Sequence, residues 1–508
     1  MKTSGKIAKP RKNRGPKKFV TGFSIREILD ITEGRPFFGE GSRLAVCRAR
    51  AKGVSTDSRT IRRGELFIAL NGENFNGAKF IGQAIRRGAL AVIMSETDSL
   101  PAAKLRRQVP LIVVKEARRA LSAICKAHRD RFDIPIIAIT GSNGKTTTKD
   151  MIAHMLGKRF KVLSTTGTEN NKVGAAQLLL RLKDQDFVVI EVGTNSCGEI
   201  RYHSAILRPD MAIVTNIGPS HLEGLKSLEG VLKEKIALVE SLGPKGVWVK
   251  NCDDKILAGK SYKGLKVISY GIDKEKVDFK ASDIRQTEDG IEFSVKVSLL
   301  PGLPARKTAG SQAIKRAKPR VLRFRVPVFG KHNVYNMLAA IAACSPYMGV
   351  KAMQKALADF KAEEQRMEVL SGRGFTVIND CYNSNPLSFE CAVRALKDYP
   401  APGKRIVVAG DMLELGQTSD RLHYDSGRLL ASEKIDMLLT FGGRAGSIAK
   451  GALEKGMSRE AVTVFKKKQG IAPFLSRVIS KGDVVLIKGS RGMKMEEVTD
   501  CFINCSIR

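Results

Sequence analysis

The stretch IPIIAITGSNGKTTTKDMI at 134–152 constrains the fold more than any other part of the chain. Its first seven residues form a continuous apolar run, which is typical of a strand covered on both faces of a parallel sheet. A glycine-rich turn follows, and after it a helical pattern places Met151, Ile152, Met155 and Leu156 on one face. Strand, turn and helix together predict an α/β domain that holds an anion at the N-terminus of the helix.

A lysine and several hydroxyl groups in this turn indicate that the anion is a phosphate. Lys145 can reach terminal phosphates, and Thr146 can offer a hydroxyl to Mg²⁺. The spacing is shorter than in the common phosphate-binding loop, in which a glycine stands where this chain has Ile139. The predicted ATP-binding residues of the loop are Gly141, Ser142, Asn143, Gly144, Lys145, Thr146 and Thr147.

Two further strand ends carry residues that could bind a metal ion. Glu191 ends the apolar run FVVIE at 187–191, and open α/β sheets place ligands beyond the carboxyl ends of their strands. His221 follows another strand candidate, in TNIGPSHLEGL at 215–225. Taken singly, a surface glutamate and a packing histidine are the simpler interpretations, so residue type alone leaves both roles open.

The order of apolar runs divides the 508-residue chain into three units. Residues 21–116 alternate short apolar runs with polar turns and one helical pattern, which predicts a small α/β domain. Residues 117–347 contain longer strand candidates separated by helices, which indicates a mainly parallel sheet, with a hairpin around Asp289 and Gly290. Residues 348–508 repeat this alternation and predict a second doubly wound α/β unit.

Part of the net charge of +36 is concentrated in two segments without acidic residues. Residues 1–20 are predicted to form a basic flexible tail, and residues 301–325, approximately, a basic insertion in the second unit. Such runs can bind nucleic acid or anionic surfaces. They are not interleaved with the aromatic residues that stack on single strands. Solvated segments are therefore the simpler interpretation, and nucleic acid is not predicted as a partner.

The rest of the composition argues against a membrane-inserted or disulfide-linked protein. No apolar run approaches the roughly 20 residues that span a bilayer, and the basic N-terminus lacks the apolar stretch of a secretory signal. The nine cysteines are scattered, without a CxxC pair. Reduced thiols in a cytoplasmic protein are the expected state.

Three strings in the second unit resemble sequences of the Mur ligases, ATP-dependent enzymes that extend the peptide of peptidoglycan precursors. They are TGSNGKTTT at 140–148, EVG at 191–193 and TNIGPSHLE at 215–223. Strings in the third unit are similar to the family member that adds D-alanyl-D-alanine to UDP-N-acetylmuramoyl-tripeptide. They are NDCYNSNPLSF at 379–389, VVAGDMLELG at 407–416 and IKGSRGMKMEEV at 487–498.

The resemblance implies a three-domain α/β fold: a small N-terminal α/β substrate domain, a central ATPase domain with a P-loop-type, mainly parallel sheet, and a C-terminal Rossmann-like doubly wound domain. It implies that ATP phosphorylates the terminal carboxylate of the tripeptide and that the amine of D-alanyl-D-alanine attacks the acyl phosphate. We also expect a monomer. A related ligase with another amino-acid or polyglutamyl substrate, and a nucleic-acid-associated ATPase, are the alternatives.

The resemblance also implies roles for individual residues. Thr146 and Glu191 match magnesium ligands, and His221 matches a ligand of a second magnesium ion. Lys235 matches a carbamylated lysine, although Lys233 is close enough to take its place. The predicted catalytic residues are Lys145, Lys235, His221 and Glu191. The other predicted contacts are Asn336, Arg366 and Asp380 for ATP, Ser55, Asp57, Ser58, Arg59, Asn170 and Asn171 for the UDP-linked substrate, and Lys488, Ser490 and Arg491 for the dipeptide.

Overall fold

The computed structural model describes residues 22–37, 47–72, 75–99, 108–166, 172–298 and 320–507. These residues form three main sheets, each flanked by helices, and the predicted three-domain α/β architecture is confirmed. Each apolar run that was predicted as a strand contains one. The predicted tail, most of the predicted insertion, and both Asn170 and Asn171 lie outside the described residues.

The first sheet has five strands, and all neighbours are parallel except the first pair. Helix Ile25–Thr32 begins with a capping box in which the side chains of Ser24 and Glu27 each accept a hydrogen bond from the other's backbone amide. Helix Ile81–Arg86 crosses between two strands. The order of strands is Arg35–Phe37, Leu111–Val114, Ala91–Ser95, Leu66–Ile68 and Val54–Ser55, and a small hairpin pairs Asn71–Gly72 with Phe75–Asn76.

The second sheet has nine strands and is parallel except for two antiparallel pairs at one edge. The predicted hairpin around Asp289 and Gly290 is present. The order of strands is Arg320–Val326, Gly290–Val297, Phe279–Thr287, Lys266–Gly271, Val247–Asn251, Met211–Val214, Ile136–Thr140, Phe187–Glu191 and Val162–Ser164.

The edge strand Arg320–Val326 differs from the prediction, which assigned residues up to about 325 to the basic insertion. The sequence RVLRFRV alternates, so that Phe324 and Val326 are buried while Arg323 and Arg325 are exposed. This two-residue period is that of a half-buried strand. The sequence predicts residues 320–325 as part of the insertion because their high positive charge conceals this alternation.

The strand before the phosphate loop is buried on both faces, as its apolar run predicts. Ile136 and Ala138 join one hydrophobic cluster, whereas Ile137 and Ile139 join the cluster on the other face. The helices that cover the second sheet or follow it are Ala117–Arg129, Lys145–Gly157, Lys172–Leu180, Glu199–Leu207, Leu222–Leu225, Leu228–Glu240, Lys255–Ala258, His332–Cys344 and Val350–Ala358.

The third sheet has six strands, and only the first pair is antiparallel. Helix Pro386–Asp398 begins with proline, and the side chain of Asn385 caps it by accepting from the Ser388 amide at 2.9 Å. The strand order is Glu368–Ser371, Thr376–Asp380, Val484–Lys488, Arg405–Gly410, Met437–Phe441 and Val462–Phe465. The remaining helices are Ser419–Ser432, Ala445–Glu454, Ile471–Val478 and Glu496–Ile507.

In the described part of the chain, no helix combines the length and the apolar composition that crossing a membrane requires.

Candidate active site

The phosphate loop depends on two glycines with positive φ. Gly141 has a φ of +150° and Gly144 a φ of +77°, a region that residues with a Cβ rarely adopt. A Cβ on Gly144 would also lie 2.2 Å from the Asn336 side-chain oxygen. The loop therefore passes too close to its neighbours to accommodate larger residues at these positions.

Ser142 and Asn143 fasten the loop to the segment after the neighbouring strand Met211–Val214. Ser142 Oγ donates to the Gly218 carbonyl at 2.7 Å and accepts from the Gly218 amide at 2.9 Å. The Asn143 amide donates to Asn216 Oδ1 at 3.0 Å. Ser142 is buried, so its side chain positions the loop backbone.

Three predicted site residues from separate parts of the sequence meet at Thr146. The Thr146 hydroxyl donates to Glu191 Oε2 at 2.5 Å and accepts from Arg366 Nη2 at 2.8 Å. Glu191 is buried at the end of its strand. The Arg366 guanidinium lies 3.7 Å from the centre of the Tyr382 ring, which fixes its orientation. The third domain thus reaches the phosphate loop directly.

The Lys145 ammonium lies beside the loop it follows. Its Nζ is 3.4 Å from the Ser142 carbonyl oxygen. Burial lowers the pKa of Lys145, the nearby Glu191 carboxylate opposes that shift, and Arg366 adds to it. A triphosphate placed here would provide the negative charge that this partly buried cation lacks.

Lys235 is buried inside helix Leu228–Glu240, with 1% of its surface exposed, whereas Lys233 is exposed. Burial lowers the pKa of Lys235 well below its usual value, and the Lys145 ammonium lowers it further, while Glu234 and Glu191 oppose the shift. The structure therefore distinguishes two lysines that the sequence left interchangeable: only Lys235 lies close to the phosphate-loop lysine.

Glu234 was not predicted from the sequence, although it organises the same region. Its carboxylate accepts from the Gly198 amide at 2.6 Å, the Ile200 amide at 2.7 Å and the Thr194 hydroxyl at 3.2 Å. It thereby anchors the segment that follows Glu191. From the sequence, a glutamate at this position of the helix is predicted to be exposed to solvent, and no local pattern indicates that it is buried.

His221 faces a carboxylate from the third domain. Its Nδ1 lies 2.7 Å from Glu414 Oε2, and hydrogen bonding to His221 lowers the pKa of Glu414. The Glu414 carbonyl also accepts from the Glu223 amide at 3.2 Å. The side-chain amides of Asn143 and Asn385 form a second polar contact between the same two domains.

A cleft of about 1020 Å³ between the second and third domains contains most of the predicted site. Its lining does not include the four predicted residues of the first domain, nor Gly141, Lys235, Ser490 and Arg491. The predicted residues that line it are Ser142, Asn143, Gly144, Lys145, Thr146, Thr147, Glu191, His221, Asn336, Arg366, Asp380 and Lys488.

Three segments of the chain match the models of three domains that belong to one protein family. "Mur ligase family, catalytic domain" matches residues 50–129, "Mur ligase middle domain" matches 139–344, and "Mur ligase, glutamate ligase domain" matches 365–491. A Bacillus subtilis protein, UDP-N-acetylmuramoyl-tripeptide--D-alanyl-D-alanine ligase, is 34% identical over 88% of this chain and 92% of its own. The chain belongs to the Mur ligase family.

Solved structures of similar proteins cover this Mur ligase almost completely. MurF from Acinetobacter baumannii aligns with a TM-score of 0.82 and 26% identity over 95% of this chain and 99% of its own. Another structure from that organism, named UDP-N-acetylmuramoylalanyl-D-glutamyl-2,6-diaminopimelate--D-alanyl-D-alanyl ligase, has a TM-score of 0.76 and 26% identity over 95% and 98%.

The predicted ATP contact Asn336 is buried beneath the phosphate loop of this Mur ligase. Its amide nitrogen donates to Asn333 Oδ1 at 2.8 Å, and its oxygen accepts from Thr148 at 3.4 Å. The side chain thus supports the loop, and its contact with the base of ATP stays a prediction.

The predicted dipeptide contacts Lys488 and Ser490 are engaged within the third domain. Lys488 Nζ donates to Asp380 Oδ2 at 2.6 Å and to the Asn383 carbonyl at 3.0 Å. Ser490 Oγ donates to the Ser384 carbonyl at 3.0 Å. Arg491 remains 59% exposed at its side chain and donates to Gln365 Oε1 at 2.9 Å. Of the three, Arg491 is the most exposed, and its guanidinium also lies 3.8 Å from the Glu496 carboxylate.

The predicted UDP contacts of the first domain form a local cluster. Arg59 pairs with Asp57 at 2.8 Å, Ser55 Oγ donates to the Asp57 carbonyl at 3.0 Å, and Ser58 Oγ donates to Gln83 at 2.7 Å. The Gln177 amide reaches Thr56 at 3.0 Å, so the second domain touches this cluster. The arrangement places the four residues together but outside the cleft lining.

We expect Asp380→Ala to destabilise the third domain of this Mur ligase. The side chain of Lys488 is 1% exposed and pairs with Asp380, and removing one partner of a buried ion pair costs about 3–5 kcal/mol. Urea unfolding followed by circular dichroism should show a lower midpoint. The control is Asp359→Ala, which removes an exposed partner of Lys158. Equal midpoints for the two variants would contradict the structural importance of the buried pair.

Proposed function

We propose that the chain is an ATP-dependent ligase that joins D-alanyl-D-alanine to UDP-N-acetylmuramoyl-tripeptide in peptidoglycan precursor synthesis. The observation that carries the proposal is the hydrogen bond of Arg366, from the third domain, to Thr146 of the phosphate loop. This hydrogen bond joins the two domains on either side of one cleft. The cleft is lined by phosphate-loop residues suited to a triphosphate and by residues of the third domain suited to an acyl acceptor. The name and the 34% identity of the Bacillus subtilis relative support this substrate pair.

In the proposed reaction, a carboxylate oxygen of the tripeptide attacks the γ-phosphorus of ATP, and ADP leaves. The amine of D-alanyl-D-alanine then attacks the carbonyl carbon of the acyl phosphate, an amide bond forms, and phosphate and a proton leave. Phosphoryl transfer depends on positioning and on neutralisation of charge. Lys145 and Arg366 supply positive charge at the cleft, and Ser142 holds the loop backbone in place.

The residues around Thr146 fit a magnesium ion. Mg²⁺ prefers oxygen ligands, and the Thr146 hydroxyl and Glu191 carboxylate lie 2.5 Å apart. Bound there, the ion would neutralise charge on the phosphates. Among the described residues, no group of three His, Cys, Asp or Glu side chains is arranged to hold a metal ion. Besides Glu191, the proposed magnesium ligands are therefore the Thr146 hydroxyl and Lys235 as a carbamate. His221 is the proposed ligand of a second ion.

The remaining assignments extend from this centre. Ser55, Asp57, Ser58 and Arg59 are proposed to bind the UDP group, and Arg491 the dipeptide carboxylate, while Lys488 and Ser490 shape the loop beside it. Water exclusion by the closed third domain would protect the acyl phosphate. A cytoplasmic location, a monomeric state and the division at residues 116 and 347 stay predictions.

The direct test is phosphate release from ATP with the purified chain. Release should require both the UDP-linked tripeptide and D-alanyl-D-alanine, and mass spectrometry should detect the joined product. Product formed with a single amino acid in place of the dipeptide would favour a related amide ligase. Release stimulated by RNA or DNA alone would reject the ligase proposal.

A further inference from the structure

Two oppositely charged side chains line the cleft but have no part in the phosphate loop or its contacts with the third domain. Arg118 is the second residue of helix Ala117–Arg129, and Glu199 is the first residue of helix Glu199–Leu207. Both are half-buried. The sequence does not indicate a functional role for either residue, because a charged residue at the start of a helix is ordinary.

Contacts between these two helices show that they lie side by side in the same direction. The hydroxyls of Ser122 and Tyr202 form a hydrogen bond, and further along Arg129 Nε donates to the Leu207 carbonyl at 3.3 Å. Arg118 lies one turn before Ser122, and Glu199 lies one turn before Tyr202. Residues one turn apart share a helix face. The first turns, with their charged side chains, therefore lie beside each other.

The Arg118 guanidinium is available for an anion. Its Nη2 donates to the Asn71 carbonyl at 3.0 Å, which holds the side chain against the first domain. Within the described ranges, no carboxylate lies at ion-pair distance from it. Its neighbour Arg119 differs: its side chain is 79% exposed and pairs with Glu116 at 2.9 Å. Of these two neighbouring arginines, Arg118 lines the cleft and Arg119 does not.

The position of this pair indicates which part of the substrate it would meet. Thr194, Asn195 and Ser196 also line the cleft and connect Glu191, beside the proposed triphosphate site, to Glu199. The Glu199 carboxylate accepts from the Asn195 amide at 2.9 Å, which fixes its place at the cleft. The proposed UDP cluster lies outside this lining. The charged pair therefore shares this cleft with the proposed triphosphate site, beside which the proposed reaction requires the peptide end of the substrate.

We propose that Arg118 and Glu199 recognise the side chain of the third residue of the tripeptide, and that this residue is diaminopimelate. Its side chain ends in a carboxylate and an ammonium group, which match a guanidinium and a carboxylate placed side by side. A lysine side chain ends in an ammonium group alone and would leave Arg118 without an anion. This inference rests on the proposed function, since it concerns the same substrate.

The test compares two UDP-linked tripeptides, one with diaminopimelate and one with lysine, at saturating ATP and D-alanyl-D-alanine. The unaltered chain should have the higher kcat/KM for diaminopimelate. Arg118→Gln should lower that value by about 10- to 100-fold, because a hydrogen bond to a charged group is lost. The loss should appear mainly in KM. The lysine tripeptide should change by less than about 2-fold, since it makes no bond to Arg118. Arg119→Gln is the matched control and should change neither.

Different failures have different meanings. A preference of the unaltered chain for lysine, or an equal loss for both tripeptides in Arg118→Gln, would overturn the inference, because the arginine would then bind a group common to both substrates or support the fold. Turnover of both tripeptides would leave the ligase proposal standing in either case. Absence of turnover with both tripeptides in the unaltered chain would reject the ligase proposal itself.

Discussion

Lys145→Ala is expected to lower the rate of phosphate release by about 100- to 1000-fold, the usual cost of removing a group that stabilises developing charge in phosphoryl or acyl transfer. The Lys145 ammonium is partly buried beside the loop, and burial lowers its pKa. Negative charge arriving at this position would stabilise the charged form, and the ammonium would in turn neutralise the phosphate oxygens. Alanine retains the helix but provides no charge.

The matched control for this variant lies at the other end of the same helix. Lys158 follows Lys145–Gly157 directly, and its side chain is 43% exposed and pairs with Asp359 at the surface. Lys158→Ala should therefore release phosphate at nearly the unaltered rate. Both variants should keep the circular dichroism spectrum of the unaltered chain. A Lys145→Ala enzyme with a normal rate would remove the phosphate loop from the proposed mechanism.

The sequence predicts the elements of this fold well because hydrophobic burial is periodic along the chain. The run IPIIAIT contains the strand Ile136–Thr140, and HNVYNMLAAIAAC coincides with the helix His332–Cys344. Both are buried on nearly all sides, so their composition alone distinguishes them from loops. The phosphate loop can be predicted from the sequence equally well, because its local backbone geometry requires glycine at two positions.

Hydrogen-bond partners were harder to predict than elements. Lys488 and Ser490 have the chemistry of carboxylate-binding groups, yet the structure pairs them with Asp380 and with the Ser384 carbonyl. Those partners are more than 100 positions away in the sequence. A polar side chain shows which bonds it can make, but the choice of partner depends on how distant segments approach each other.

Contacts between domains were the least predictable part of the site. The sequence predicts Arg366 as a contact of ATP, and the structure shows that its guanidinium donates a hydrogen bond to Thr146. The sequence does not predict Asn385 and Glu414 as site residues, although they contact Asn143 and His221. Asn385 did carry a local signal, since Asn-Pro before a helical pattern indicates an N-cap. Glu414 carried none, because its role exists only when two domains meet.

Lys235→Ala is expected to lower the rate by about 100-fold or more, whereas Lys233→Ala should leave it within about 2-fold, on the scale of losing a charge-stabilising group. Lys233 is exposed on the same helix, and Lys235 is buried. Burial and the Lys145 ammonium both lower the pKa of Lys235. Two ammonium groups so placed repel each other, which favours a neutral amine on the buried Lys235.

A neutral amine can attack the carbon of CO₂, forming an N–C bond and releasing a proton, so that the side chain becomes a carbamate with one negative charge. The carbamate replaces a neutral amine beside the Lys145 ammonium with a group of opposite charge, and it places oxygen atoms near Glu191. ¹³C NMR of the chain in labelled bicarbonate should show one carbamate signal that Lys233→Ala retains and Lys235→Ala loses. Lys235→Arg should lack both the signal and activity, because a guanidinium stays charged. Full activity in Lys235→Ala would reject this role for the buried lysine.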